Sequence, residues 1–262
     1  MNSRHTFVVC AYGESPYLDE CVNSLVRQSC RSSVLIATST PNELIRSVAR
    51  KYELDLHVQE GNSGISADWN YALSCAKTPL VTIAHQDDIY LPQYSERVLQ
   101  VASRIDGLII YFTNYGEIRD DGCVEDENTI LKVKRCMLEP MKDGRCARSK
   151  FVRRRILSFG SAICCPSVTF NIENVEQPIF QQNMKCDLDW EAWERLSRCS
   201  GSFYYDSRLL MRHRIHRESE TTHLIGDNTR SREDLAMLKK FWPSPIAHII
   251  NRAYSKSQKS NG

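Results

Sequence analysis

Over the first 106 residues, short apolar runs of strand length alternate with segments whose apolar residues recur at helical spacing. That alternation confines the chain to an α/β fold built on an open, mostly parallel, doubly wound sheet flanked by helices. Phe7 to Tyr12 reads as a buried first strand, stopped by Gly13-Glu14-Ser15-Pro16. Leu18, Cys21, Val22, Leu25 and Val26 then mark one face of a helix. Val34–Thr38 is the second strand, Glu43–Lys51 the second helix and Leu54–Val58 a short third strand. Ser66 is placed to cap a third helix through Ala76, with Trp69, Ala72, Leu73 and Ala76 on one face. Right-handed crossovers would gather the carboxyl ends of these strands at one edge, so that Tyr12, Ser39 and Asp87 share a crevice.

The fourth strand carries the sharpest signal. Leu80-Val81-Thr82-Ile83-Ala84 stops on His85-Gln86-Asp87-Asp88, and Pro92 closes the segment. Its apolar run suits a strand buried on both faces, and open α/β sheets bind ligands at the carboxyl ends of their strands. Two adjacent carboxylates there repel unless a cation lies between them and an anion they serve. In isolation the pair reads more readily as a turn before a helix.

After Asp106 the pattern loosens. Leu108–Thr113 is a further strand, a polar hairpin or loop surrounds Asp120-Asp121-Gly122, and Leu131–Lys150 is basic and irregular. Ser161–Phe170 reads as a strand pair or a bent strand, Asp187–Cys199 as a helix and Phe203–Met211 as a strand running into Arg212-His213-Arg214-Ile215-His216-Arg217. The tail from Asp227 holds an amphipathic helix (Leu235, Leu238, Phe241), Trp242-Pro243-Ser244-Pro245 and a shorter helix through Tyr254. The expected organisation is an α/β half over 1–106, a second half over 107–226 and a helical tail over 227–262.

Composition narrows the class. A net charge of +2 gives no reason to expect nucleic acid as a partner. Eleven cysteines without a Cys-x-x-Cys pair read as reduced core residues of a cytoplasmic protein. The N-terminus has no signal-peptide pattern, and no apolar run reaches the length of a membrane span. Arg148 to Arg155 is basic; it suits a solvated face, or the anionic headgroups of a membrane and a lipid-linked acceptor. Phe241-Trp242-Pro243 suits packing on the core or peripheral contact with the inner face of a membrane.

Several elements in order resemble the family 2 glycosyltransferases, inverting enzymes of the GT-A fold. They are Tyr12 with the helix ending Ser24-Leu25-Val26-Arg27-Gln28, Asn62-x-Gly64 followed by Asn70, and His85-Gln86-Asp87-Asp88 with Pro92. Leu188-Asp189-Trp190 through Arg195-Leu196 and His213-Arg214-x-His216, with Ser219 and Thr221 behind it, complete the set. The look is nearest to bacterial capsular and cell-surface polysaccharide transferases. The resemblance implies transfer of a sugar from a nucleotide-diphosphate donor, a UDP-sugar by default, to a saccharide or polyprenyl-diphosphate-linked acceptor, with a divalent cation, Mn²⁺ or Mg²⁺.

It also implies roles for individual residues. Ala11, Tyr12 and Glu14 at the end of the first strand would face the donor, as would Ser39, Trp69, His85, Asp88 and Arg214. Asp87 would ligate the metal, and His216 could join it. Asp189 would be the general base and Asp187 the second candidate; either also suits a helix cap. Three positions depart from the family pattern. His85 stands where the first Asp of Asp-x-Asp would be, and a neutral imidazole can hydrogen-bond a ribose but adds no negative charge, so a weakly held metal is expected. Thr38-Ser39-Thr40 lacks the Asp that reads uracil, and Trp69 replaces an Arg. Two other readings stay open: a nucleotidyltransferase, against which Tyr12-Gly13-Glu14-Ser15 lacks a Gly-rich, Lys- or Arg-bearing loop, and a catalytically degenerate nucleotide-sugar-binding protein.

Overall fold

The structure is a computed structural model that describes residues 4–61, 64–216 and 229–259. Asn62, Arg217, Ser219 and Thr221 lie outside the described residues. In chain order the first half runs β1 (His5–Ala11), α1 (Leu18–Val26), β2 (Ser33–Thr38), α2 (Glu43–Lys51), β3 (Asp55–Val58), α3 (Ile65–Cys75), β4 (Leu80–His85), β5 (Ile89–Tyr90) and α4 (Tyr94–Ala102). The second half runs β6 (Leu108–Arg119), β7 (Val124–Glu125), α5 (Thr129–Leu138), α6 (Lys150–Arg155), β8 (Val168–Asn171), α7 (Leu188–Ser197), β9 (Ser202–Ile215), α8 (Thr229–Lys239) and α9 (Ser244–Lys259).

The strands form one sheet in the order β3-β2-β1-β4-β8-β6-β9-β5, with β7 paired to β6. The strands β3, β2, β1 and β4 of the first half are parallel, as the strand–helix alternation requires. Beyond them β8 runs antiparallel to both β4 and β6, and β6 is parallel to β9. The first strand shows why its sequence is apolar throughout. Successive side chains point to opposite faces, so Phe7 and Val9 pack with α1, α2 and α4, while Val8 packs with α3 and α7 on the other side. A line of buried polar contacts crosses the same strands: His5 Nε2 to Thr82 Oγ1 at 2.8 Å, and Thr82 to Thr169 at 2.6 Å. Burial pushes His5 down to about 3, so it is neutral there.

The first half follows the sequence pattern closely, with small shifts. Leu18, Cys21, Val22 and Leu25 are buried on α1, whereas Val26 is exposed. Asn42 caps α2 by accepting from the Ile45 N–H at 2.9 Å. Ser66 is not a cap: α3 starts at Ile65 with Gly64 at its N-cap, φ 135°, a conformation open to glycine.

The second half departs more. β6 extends to Arg119 because it pairs with β9 along its whole length, to Arg119 opposite Ile215. The hairpin around 120–122 joins β6 to β7. The stretch expected to be irregular contains α5, capped by Asn128 accepting from the Leu131 N–H at 2.8 Å. Of Ser161–Phe170 only the end is strand, after a 3₁₀ turn at Cys165–Ser167. The last helix is longer than expected, reaching Lys259.

The end of the basic run folds as α6; its last three arginines make contacts within the protein, while Arg148 and Lys150 stay exposed. Arg153 is fully buried over the Phe203 ring, Arg154 pairs with Glu194, and Arg155 lies over Trp242. Trp242 in turn donates to the Ser158 carbonyl at 2.6 Å, so the tail packs on the core. All eleven cysteines are unpaired, but Cys123, Cys136, Cys146 and Cys199 are exposed rather than in the core. Among the described residues no helix is long and apolar enough to cross a membrane.

The entries to β6 and β9 touch at Gly107 and Gly201. A Cβ on Gly201 would sit 2.4 Å from the Gly107 carbonyl oxygen, and its φ of 123° is itself unfavourable for other residues. Gly201→Ala is therefore expected to destabilise the protein by about 2 kcal/mol or more. The check is a urea titration, in which the midpoint should fall with the slope unchanged.

Candidate functional site

A cavity of ≈ 1010 Å³ opens at the carboxyl ends of β1 and β4. Its wall is completed by the start of α3, the 161–166 segment, the start of α7 and the end of β9. The loop after β1 is tied to the loop after β4 through a side chain that imitates a ladder pair. Gln86 accepts from the Tyr12 N–H at 3.1 Å and donates to the Tyr12 carbonyl at 2.9 Å. Next door, the Ser15 hydroxyl donates to Asp87 Oδ1 at 2.5 Å.

Asp87 and Asp88 are separated by environment. Asp88 is 1% exposed, and its Oδ1 accepts from the Arg214 N–H at 2.9 Å and lies 2.9 Å from His213 Nδ1. Burial alone would raise its pKa, but the His213 charge and these hydrogen bonds outweigh it and hold Asp88 below the usual carboxylate range. Burial likewise works against a charged His213, and Asp88 overrides it, raising the imidazole. Asp87 instead turns to the cavity, with Oδ2 3.3 Å from His216 Nε2. Arg214 braces this loop from behind. Its Nε donates to the Asp87 carbonyl at 2.9 Å, one terminal nitrogen reaches Glu20 at 2.5 Å, and the guanidinium lies 4.2 Å from the Tyr17 ring centroid.

Asp87 and His216 suit a hard or borderline divalent cation such as Mg²⁺ or Mn²⁺, which takes one or two protein ligands and completes its shell with phosphate and water oxygens. Among the described residues no group of three or more His, Cys, Asp or Glu side chains could hold a metal alone. That donor set therefore fits a cation shared with a diphosphate.

Across the cavity, Asp189 stands in the first turn of α7, where its Oδ1 accepts from the Trp190 N–H at 2.7 Å. Burial pushes it up to about 6, and that N–H, Lys134 and Arg230 limit the rise. Lys134 comes from α5 and donates to the Tyr115 hydroxyl at 2.7 Å. Asp187 is a different acid. Burial, with Asp234 and Asp189 nearby, drives it far above the usual carboxylate range. It sits at the N-cap of α7 yet makes no side-chain cap. The cap comes from α8: the Glu233 carboxylate accepts from the N–H groups of Lys185, Cys186 and Asp187 at 2.9, 2.7 and 3.1 Å.

The residues expected at the site are mostly brought together. Tyr12, Glu14, Trp69, His85, Asp87, Asp88, Arg214, Asp187, Asp189 and His216 all line the cavity. Ala11 is buried in β1, and Ser39 lies behind Asp68, off the cavity wall. His85 stacks on Trp69, centroids 5.1 Å apart at 27°; its pKa is lowered by burial, and its Nε2 is buried without a hydrogen bond. Gln86, Asp68, Lys134 and Glu233 were not singled out from sequence. Gln86 lies inside the motif, where the carboxylates draw attention, and Asp68 adjoins Trp69. Lys134 and Glu233 carry no local signal.

The model of glycosyl transferase family 2 matches residues 6–166, more than half of the chain. An uncharacterised glycosyltransferase of Rickettsia prowazekii is 21% identical over 244 residues, covering 90% of this chain and 71% of the relative. Among solved structures, S. aureus TarS 1–349 in complex with UDP-GlcNAc aligns over 96% of this chain and 70% of its own, at 15% identity and a TM-score of 0.60. A mannosyltransferase from Pyrobaculum calidifontis in complex with GDP-Man and Mn²⁺ aligns over 97% and 70%, at 14% identity and a TM-score of 0.62. At these identities the structural likeness is one of fold.

The Glu233 cap can be checked directly. Glu233→Ala removes a charged acceptor from three N–H groups, a loss of about 1.5–3 kcal/mol. Amide hydrogen exchange at residues 185–187 should accelerate by about 10-fold or more, with exchange in β1 and β4 unchanged.

Proposed function

The chain belongs to glycosyl transferase family 2, with its GT-A fold, and on that premise we propose that it is an inverting enzyme. It moves a sugar from a UDP-sugar to a hydroxyl of a saccharide or polyprenyl-diphosphate-linked acceptor. The observation that carries this reading is the placement of Asp189, with a pKa of about 6, in the same cavity as the Asp87–His216 pair. A carboxylate of that pKa is ionised at neutral pH yet basic enough to take a proton as a bond forms.

The chemistry is a single displacement. Asp189 takes the proton of the acceptor hydroxyl, whose oxygen bonds to the anomeric carbon from the face opposite the diphosphate. The bond from that carbon to the diphosphate oxygen breaks, and its electron pair leaves with the nucleoside diphosphate. Asp87 and His216 are the residues that would hold a divalent cation. When bound, such a cation neutralises charge on the leaving diphosphate. Arg214, occupied by Glu20 and the Asp87 carbonyl, positions Asp87 rather than donating to phosphate. Asp187, driven far above Asp189, is set aside as the base.

Similarity to a structure holding UDP-GlcNAc and to another holding GDP-Man supports a nucleotide-sugar donor. Family membership also sets the nucleotidyltransferase reading aside. The unpaired cysteines suit the cytoplasm. The setting in cell-surface polysaccharide synthesis, at the inner face of a membrane, rests on resemblance.

Two measurements test this reading. Asp189→Asn should lower turnover about 10²–10⁴-fold with nucleotide affinity unchanged, and the wild-type rate should fall as pH drops through about 6 because the base becomes protonated. Asp87→Ala should remove stimulation by Mn²⁺ and cost about 100-fold or more in turnover. Full donor-sugar transfer by either variant overturns the assigned role, and nucleotide binding without any transfer by wild type favours a degenerate binding protein.

A further inference from the structure

One patch of surface combines features that the proposed chemistry does not use. From Arg145 to Phe159 the chain carries six basic residues and no acidic one. Phe151, in their midst, is 77% exposed, the most exposed large apolar side chain among the described residues. Arg155 follows Phe151 by one turn of α6 and shares its face. The Arg155 guanidinium lies over the rings of Phe159, at 5.3 Å, and Trp242, at 4.6 Å, and Phe159 is itself 46% exposed. Arg148, Lys150 and Arg155 are all exposed. The acids on the elements packed against α6 do not cancel this charge. Glu139 is met by Lys142 and Arg145, Glu194 by Arg154 and Arg198, and Glu191 by Arg195 and Lys240, while Asp189 lines the cavity.

We propose that this face seats the protein on a bilayer of anionic lipids. Phe151 and Phe159 enter the boundary beneath the headgroups, and Arg148, Lys150 and Arg155 meet the lipid phosphates. The inference rests on the lipid-linked-acceptor reading above and deepens it. Charge complementarity and apolar area choose the occupant. Two exposed rings offer too little apolar surface for a stable protein interface. An inserted ring together with a basic surface is, by contrast, the pairing of two signals that holds a peripheral protein on an anionic membrane. The patch is also tied to the site. Ser161, two residues past Phe159, belongs to the segment that lines the cavity. Trp190, next to Asp189 in α7, lines it too, donates to the Leu157 carbonyl at 3.0 Å and stacks on Phe241, the neighbour of Trp242. A bilayer under α6 therefore meets the protein next to the wall that carries Asp189, where an acceptor on a polyprenyl chain arrives.

The test is co-sedimentation with vesicles of phosphatidylcholine alone or mixed with phosphatidylglycerol, at low and high salt, with soluble poly-glutamate as a separate probe. It compares wild type, Phe151→Ser and the double variant Arg148→Gln with Lys150→Gln, and UDP is titrated into each protein. Wild type should bind the anionic vesicles about 10-fold or more tightly than the neutral ones and lose that preference at high salt. Phe151→Ser should weaken vesicle binding about 10-fold through lost apolar burial, and the double variant about 10-fold or more through lost charge. The replaced side chains are exposed, so UDP affinity should be the same in all three proteins. Wild type that binds neither kind of vesicle, that binds both equally, or whose binding survives both sets of substitutions overturns the surface. Poly-glutamate bound in preference to the anionic vesicles overturns it in favour of an acidic protein partner. The two readings fail separately: UDP bound without vesicle binding removes the surface alone, and vesicle binding without any UDP binding removes the proposed function alone.

Discussion

One buried carboxylate ties the end of β9 to the loop that follows β4. Asp88, in that loop, accepts from the backbone N–H of Arg214 and pairs with His213, both at the far end of β9. Those residues are more than a hundred positions apart in the chain, and among the described residues the two-residue β5 is the first-half strand that pairs with β9. Removing His213 would leave the buried Asp88 charge short of a partner in a poor environment, although His213 itself is partly exposed. The same junction delivers the rest of the site. With β9 held there, Arg214 braces the Asp87 carbonyl and His216 arrives beside the Asp87 carboxylate.

Environment then assigns different work to acids of the same kind. Asp88 is kept ionised by a cation and two donors. Asp187 is pushed the opposite way, well up, by burial and by neighbouring carboxylates. Asp189 sits between these limits, moderated by the Trp190 N–H, Lys134 and Arg230. Pushing the titrations of neighbouring carboxyl groups apart is how a protein separates a structural acid from a reactive one. Here the separation is made by packing and by two cations that arrive from elements remote in sequence, α5 and α8.

How far the sequence discloses this depends on whether a feature is local. The apolar run of β4 with its terminal acids, the face of α1 and the span of α2 are local and were legible. Family motifs carried the reading on to Asp189 and His216, whose roles no local pattern announces. The second half was harder for a physical reason: its long strands pair across bulges and polar residues, so β6 past Thr113 has no clean alternation. The contacts that tune the site were hidden for the same reason. Glu233 reaches residues 46 to 48 positions away.

The Glu233 clamp has one more consequence. It grips main-chain N–H groups, which every residue except proline possesses, so it is indifferent to the side chains at 185 and 186. Lys185 and Cys186 nonetheless line the cavity beside Asp189, the proposed base. The loop can therefore exchange those side chains, and with them the surface offered to an acceptor, while the helix that carries Asp189 keeps its seat. Variation in what the cavity admits is uncoupled from the alignment of the proposed base.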